Sequence, residues 1–165
     1  MQSTFEKLNL KPHHTEILIL NSPASFESEL ARLPNITIHR DLNTPREIAF
    51  SLAFLTTTAE LHSLAKSIAR KAPGDPVLWF SYPKKSSKKY KCAIDHSSAW
   101  QLLGDLGFEC VRGIAIDEDW SADRFRRVEN IKKMTRDRRG ALSALGRSRT
   151  KSHAKSKSKK KTTKR

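Results

Sequence analysis

"EILILNSP", residues 16–23, decides how the chain folds. Four consecutive apolar side chains, residues 17–20, leave no polar face for water, so the run reads as a strand buried on both sides. Asn21 and Pro23 end it. Upstream, "TFEKLNL" has Phe5 and Leu8 on one side and reads as a short helix with Thr4 as its cap, broken by "KPHH". Downstream, "SFESELARL" puts Phe26, Leu30 and Leu33 at helical spacing behind Ser25 as the expected N-cap.

The same alternation continues. "ITIHRDL" is an expected strand with Ile36, Ile38 and Arg40 on one side, and "NTPREIAFSLAFL" holds another, centred on residues 48–55. "TTTAELHSLAKSIARKA" is the clearest helix, with Leu61, Leu64, Ala65 and Ile68 on one stripe and its cations near the carboxyl end. "PGDP" closes it and "VLWFSYP" is the fourth strand. "DHSSAWQLLGDLG" then gives a helix from Asp95 to Gly107, with Trp100, Leu103 and Leu106 inward. "FECVRGIAI" and "RFRRV" are two last strands joined by the acidic "DEDWSAD". Alternating strands and helices imply an α/β domain: three layers and a mostly parallel, Rossmann-like sheet ending in an antiparallel hairpin.

Charge divides the chain. Residues 1–131 carry 17 Lys and Arg against 16 Asp and Glu, whereas residues 132–165 carry 15 basic residues and one acid, Asp137. The expected organisation is an α/β domain over residues 1–130, a basic linker with helical potential over 131–146 through Met134, Leu142 and Leu145, and a tail over 147–165. Ten of the last nineteen residues are basic and the only apolar one is an alanine, too little to offset the entropy of ordering, so the tail is expected to be disordered. Two cysteines do not make a disulfide scaffold, no apolar leader is visible, and no run approaches the roughly 20 apolar residues of a membrane helix. The expectation is a cytoplasmic protein away from membranes.

Certain residues resemble a known family. "LNLKPHH", "LNSP", "KAPGDPVLWFSYPKKSS" and "AIDEDWSADRFRR" are collinear with motifs of the bacterial family of unknown function numbered three thousand and fifty-two, over about residues 3–128. The matching positions are Leu8, Lys11, Pro12, Asn21, Pro23, Trp79, Pro83, Lys84, Trp120, Ser121 and Phe125, most of them structural in character; His13 and Ala122 depart from the pattern. The resemblance implies a bacterial setting and a fold, and no activity. The carboxyl-terminal half, with its helix, "PGDP", strand, helix and hairpin, also resembles class I methyltransferases in architecture. Those enzymes use a glycine-rich loop after the first strand, and the corresponding "LNSPASF" has no glycine.

Catalytic signatures are missing. There is no G-x-S-x-G elbow, no glycine-rich nucleotide loop and no second ligand pair to complete a zinc site with Cys92 and His96. No cofactor, metal or catalytic residue is assigned. Asp95 beside His96 reads as a helix cap, Cys110 as a small buried strand residue, and Asp117, Glu118 and Asp119 as a solvated turn in preference to a cation site. Positive charge is the strongest signal. Lys84, Lys85, Lys88, Lys89 and Lys91, with Tyr90, sit at the carboxyl end of the fourth strand, where open α/β sheets bind ligands. The competing reading is a flexible solvated loop with Ser86 and Ser87 as spacers. Arg147, Arg149, Lys151, Lys155, Lys157, Lys159, Lys160, Lys161, Lys164 and Arg165 form the second cluster. Such polycations gain affinity for DNA or RNA by releasing counterions, without reading sequence. The expected function is therefore non-specific nucleic-acid binding by a non-catalytic module. The alternatives are a methyltransferase-like enzyme or small-molecule-binding protein with its site at the strand ends, and a protein adaptor whose tail serves solubility.

Overall fold

A computed structural model of the chain describes residues 1–136 and 138–150, with the side chain of residue 138 left aside. Six strands form one sheet in the order β2-β1-β3-β4-β6-β5. They are β1 (Glu16–Leu20), β2 (Thr37–His39), β3 (Phe50–Phe54), β4 (Val77–Pro83), β5 (Phe108–Ala115) and β6 (Trp120–Arg127). The first four run parallel, and β6 lies antiparallel between β4 and β5. The expected α/β, mostly parallel sheet with a terminal hairpin is what the chain forms.

The apolar runs are buried as their patterns require. All five residues of β3 are buried, as are residues 17–20 of β1. Helices α1 (Thr4–Lys7) and α2 (Glu27–Leu30) cover one face, through Phe5, Leu8, Phe26 and Leu30 against Phe50, Leu52, Phe54 and Trp79. Helices α3 (Thr58–Lys71) and α4 (His96–Asp105) cover the other, where Leu61, Ala65, Ile68, Trp100 and Leu103 meet Leu18, Leu78, Phe80 and Phe125. These are the three layers.

Local chemistry sets the boundaries, in several places differently from expectation. Ser3, not Thr4, caps α1: its hydroxyl accepts from the Glu6 amide and the Glu6 carboxylate accepts from the Ser3 amide. Ser25 caps nothing; it lies inside a 3-10 turn, Ala24–Phe26, that feeds α2. Thr57 caps α3 and Asp95 caps α4, accepting from the amides of Glu60 and Ser97. Ile48 falls outside β3 because its amide donates to the Lys71 carbonyl at the end of α3. β6 starts at Trp120, so the connection to it is shorter than "DEDWSAD". Cys110 is half-buried instead of buried. The register slips between Cys110 and Arg112, where β5 carries a bulge.

Residues 131–150 return to the body. After a 3-10 turn at Val128–Asn130 the chain runs irregularly past the buried Met134 to a second such turn at Arg138–Gly140, then to helix over 144–150. Glu109, on β5, is fully buried, and its carboxylate accepts from the amides of Leu142 and Ser143 and from the Ser143 hydroxyl. A Cβ at Gly104 would stand 2.4 Å from the Leu142 carbonyl oxygen, so only glycine lets this strap touch α4. The expected apolar stripe is partly realised: Met134 is buried and Leu142 packs on the core, but Leu145 is 50% exposed. Residues 147–150, expected to open a disordered tail, are helical and bonded to the body through Arg147 and Arg149, whereas Lys151 and everything after it, with the rest of that expectation, lie outside the described residues.

Candidate binding site at the carboxyl end of the sheet

The lysine loop leaves the carboxyl end of β4 and is tied down at several points. The Lys84 amide donates to the Asp119 carbonyl. The Ser87 hydroxyl donates to the Asp119 carboxylate at 2.7 Å and accepts from the amides of Lys89 and Tyr90. Tyr90 packs its ring 4.9 Å from that of Trp120. Farther on, the Ala93 amide donates to the Thr56 carbonyl. Ser87 is thus the loop's tie and not a spacer. The acids of the turn are employed likewise: Asp117 accepts from the amides of Asp119 and Trp120. Among the described residues no group of histidines, cysteines and acids is arranged to hold a metal ion.

Lys84 is half-buried, while Lys85, Lys88, Lys89 and Lys91 are exposed. None of the five makes an ion pair among the described residues. Lys84 and Lys85 line a cavity of about 450 Å³, together with Tyr82, Cys92, His96 and Ser121. The Tyr82 and His96 rings meet edge-on at 4.3 Å, and His96 lies 5.2 Å from Trp100.

Behind this wall sits Asp123, which no motif singles out. Its carboxylate accepts from the Tyr82 hydroxyl at 3.3 Å and the Trp100 indole N–H at 3.0 Å. Burial raises its pKa against the pull of both hydrogen bonds. Burial and this neighbouring acid together push the Tyr82 phenol up, and the Cys110 thiol to about 11, which favours its protonated form. The sign of the Asp123 effect is definite. A carboxyl whose folded pKa exceeds its ordinary 3.8 holds a proton that the unfolded chain has released, so its stabilisation is present below that value and is lost as pH rises through the folded pKa. Asp123→Asn is expected to abolish this fall when denaturation midpoints are followed upward from about pH 4. A variant curve parallel to the parent's would assign the titration to another group.

A second ligand position of such a sheet is the switch point between β1 and β3, and side chains of the segments that leave β1, β2 and β3 bond to one another near it. Asn21 turns the chain with φ +56°, and Pro23 follows. The Arg40 guanidinium, just past β2, clasps the Glu27 carboxylate through both terminal nitrogens at 2.8 and 2.9 Å, and Ser22 joins both. That clasp brings the Glu27 carboxyl down to about 2. Across the crevice, Glu60 accepts from the Thr56 amide and the hydroxyls of Thr56 and Thr57.

The structure locates the other expected site residues as follows. Trp79, Trp120 and Phe125 are core residues, Pro83 is buried at the end of β4, and Ser121 borders the cavity. Pro12 lies in the turn before β1, and Pro23 precedes the 3-10 turn. Arg147 and Arg149 belong to the strap: Arg147 donates to the Leu142 carbonyl and Arg149 to those of Val128 and Lys132. Lys151, Lys155, Lys157, Lys159, Lys160, Lys161, Lys164 and Arg165 lie outside the described residues. Alternation counted back from Phe125 would have marked Asp123 as inward-facing; its reading as part of a turn hid it.

No family model and no curated protein matches the chain, so the resemblance to the family numbered three thousand and fifty-two has no support. Solved structures do match. A SAM-dependent methyltransferase from Aquifex aeolicus aligns over 75% of this chain and 87% of its own, with TM-score 0.51 and 13% identity. Magnesium protoporphyrin IX methyltransferase from Synechocystis PCC 6803 aligns over 75% and 74%, with TM-score 0.46 and 14% identity. The first of these shows that the scaffold is methyltransferase-like. The residues present do not fit a methyl-donor nucleotide at the switch point. The first glycine of the chain is Gly74, so the loop after β1 has none to let its backbone approach such a ligand closely.

Proposed function

We propose that this protein is a non-catalytic module that binds nucleic acid without sequence preference, on a methyltransferase-like scaffold whose loop after β1 carries no glycine. One observation carries the reading: five lysines without ion-pair partners among the described residues are held on a tied-down loop where an open α/β sheet receives ligands. The basic run from Lys151 to Arg165 adds eight further cations. Ammonium groups contact phosphates and leave base edges unread, so duplex DNA and single strands should bind alike.

The test is titration of the full chain with both at several salt concentrations. On B-DNA the log–log slope is about −0.9 per phosphate neutralised, so six contacts imply a loss of about forty-fold for each doubling of salt. Lys159→Gln, Lys160→Gln and Lys161→Gln together should flatten the slope by up to about three units. Salt-independent binding, or binding confined to one sequence, would overturn the proposal. A second reading, a small-molecule-binding protein or enzyme, is favoured by Asp123 and Tyr82 beside the 450 Å³ cavity and by the fold likeness. A rise in melting temperature with a nucleotide or methyl donor, abolished by Tyr82→Phe, would select it.

A further inference from the structure

The lysines are not the only cations that the fold gathers. On the β5–β6 hairpin Arg112 stands directly opposite Arg124, and Arg126 follows two residues along on the same face. α1 and α2 build the apolar cluster of this side of the sheet over β1, β3, β4 and the start of β6, and its β6 members end at Ala122. Beyond it Arg112 is exposed, and Arg124 and Arg126 are half-buried.

Among the described residues one acid serves these three cations. Asp75 takes Arg126 in a two-pronged bond, at 2.9 and 2.6 Å. Arg112 and Arg124 have no carboxylate partner among the described residues. The buried Glu109, opposite Arg126, is committed to the amides of the strap. Like charges directly opposite on neighbouring strands destabilise a sheet. Arg124 also has its Nε–H buried with no acceptor, and its pKa is lowered by burial and then by Arg126 and Arg112. The fold carries two costs at one place, and an anion with several acceptor oxygens, received by the accessible parts of these guanidinium groups, would remove the repulsion. A guanidinium fork matches a phosphate in geometry as well as charge.

We propose that Arg112, Arg124 and Arg126 form a phosphate-binding face that holds the backbone of the bound nucleic acid. As a statement about nucleic acid this rests on the proposed function above; as a statement about phosphate it does not. The face lies on the hairpin and the lysine loop at the carboxyl end of β4, so the body would contact backbone at two separate places.

The experiment compares the full chain with its Arg112→Gln, Arg124→Gln double variant in two measurements. The first is the salt slope on duplex DNA and on a single strand, expected to flatten by about two units. The second is the melting temperature with and without tripolyphosphate, which should rise in the parent and in the Lys159, Lys160, Lys161 glutamine variant but not in the double variant. Without ligand the double variant should melt no lower than the parent, because a repulsion has been removed. An unchanged slope with tripolyphosphate stabilisation lost would make free phosphate compounds the ligand. Failure of the full chain to bind nucleic acid, with that stabilisation still dependent on the two arginines, would end the nucleic-acid reading and leave the phosphate face standing. Unchanged slope and unchanged stabilisation together overturn the proposal.

Discussion

Trp79→Ala is expected to lower the unfolding free energy by about 3–5 kcal/mol. Trp79 is fully buried, and pairs with Leu52 of β3 on one side and Arg124 of β6 on the other. Truncation would empty the centre of the cluster that joins α1 and α2 to the sheet. It would also remove the indole N–H that donates to the Leu8 carbonyl at 2.8 Å, where α1 ends. Trp79→Phe separates the two effects. It keeps most of the ring and leaves the Leu8 oxygen without its donor, at a cost of about 1–3 kcal/mol. Both are read from urea denaturation, and with total stabilities of 5–15 kcal/mol typical the alanine variant should shift its midpoint plainly. A loss under about 1 kcal/mol for Trp79→Ala would mean that the ring does not pack as described.

Cutting the chain after residue 130 should destabilise it by a similar amount, about 3–5 kcal/mol, through the lost burial of Met134, Ala141 and Leu142, whereas cutting after residue 150 should be neutral. The difference is the strap. Without residues 131–150 the Glu109 carboxylate loses the Leu142 and Ser143 donors and is opened to water, which replaces them in part, so most of the cost is apolar surface uncovered. Ala141 and Met134 leave the edge of the core as well. Glu109→Ala in the full chain examines the same contact from the other side, stranding the two strap amides. Denaturation midpoints of the three lengths decide the matter: a chain ending at 130 that matched the full chain would deny the strap any role in stability.

These two cases mark what could be read from the amino-acid order. Periodicity revealed β1, β3, β4 and α3, because burial on one face or two writes itself into neighbouring residues, and Asp95 was recognisable as a cap from its position before α4. The strap was not legible. Composition described residues 131–146 as basic linker and 147–150 as the start of the tail, but a carboxylate 33 positions away from Leu142 and the close approach at Gly104 hold them. The loop of lysines was visible as a charge run, and its anchorage by Ser87 and Asp119 was not, since those residues meet only once β4 and β6 are paired. Asp123 and the arginine pair depended on register, and a bulge between Cys110 and Arg112 shifts that register by an amount no alternation rule supplies. The Arg40–Glu27 clasp likewise joins two segments that only sheet order brings together.

That bulge has a consequence for how copies of this protein behave in crowded solution. The sheet has two outer margins, β2 and β5. β2 offers only three residues. β5 is longer, but the bulge breaks its run of outward amides and carbonyls, and the Cys110 carbonyl beside it already accepts from Arg136. Neither margin is a long, flat template on which a strand from another molecule could align, which is the usual first step toward fibrils. A sheet whose central strands are so largely apolar and buried is thereby kept from polymerising through its own hydrogen-bonding edges.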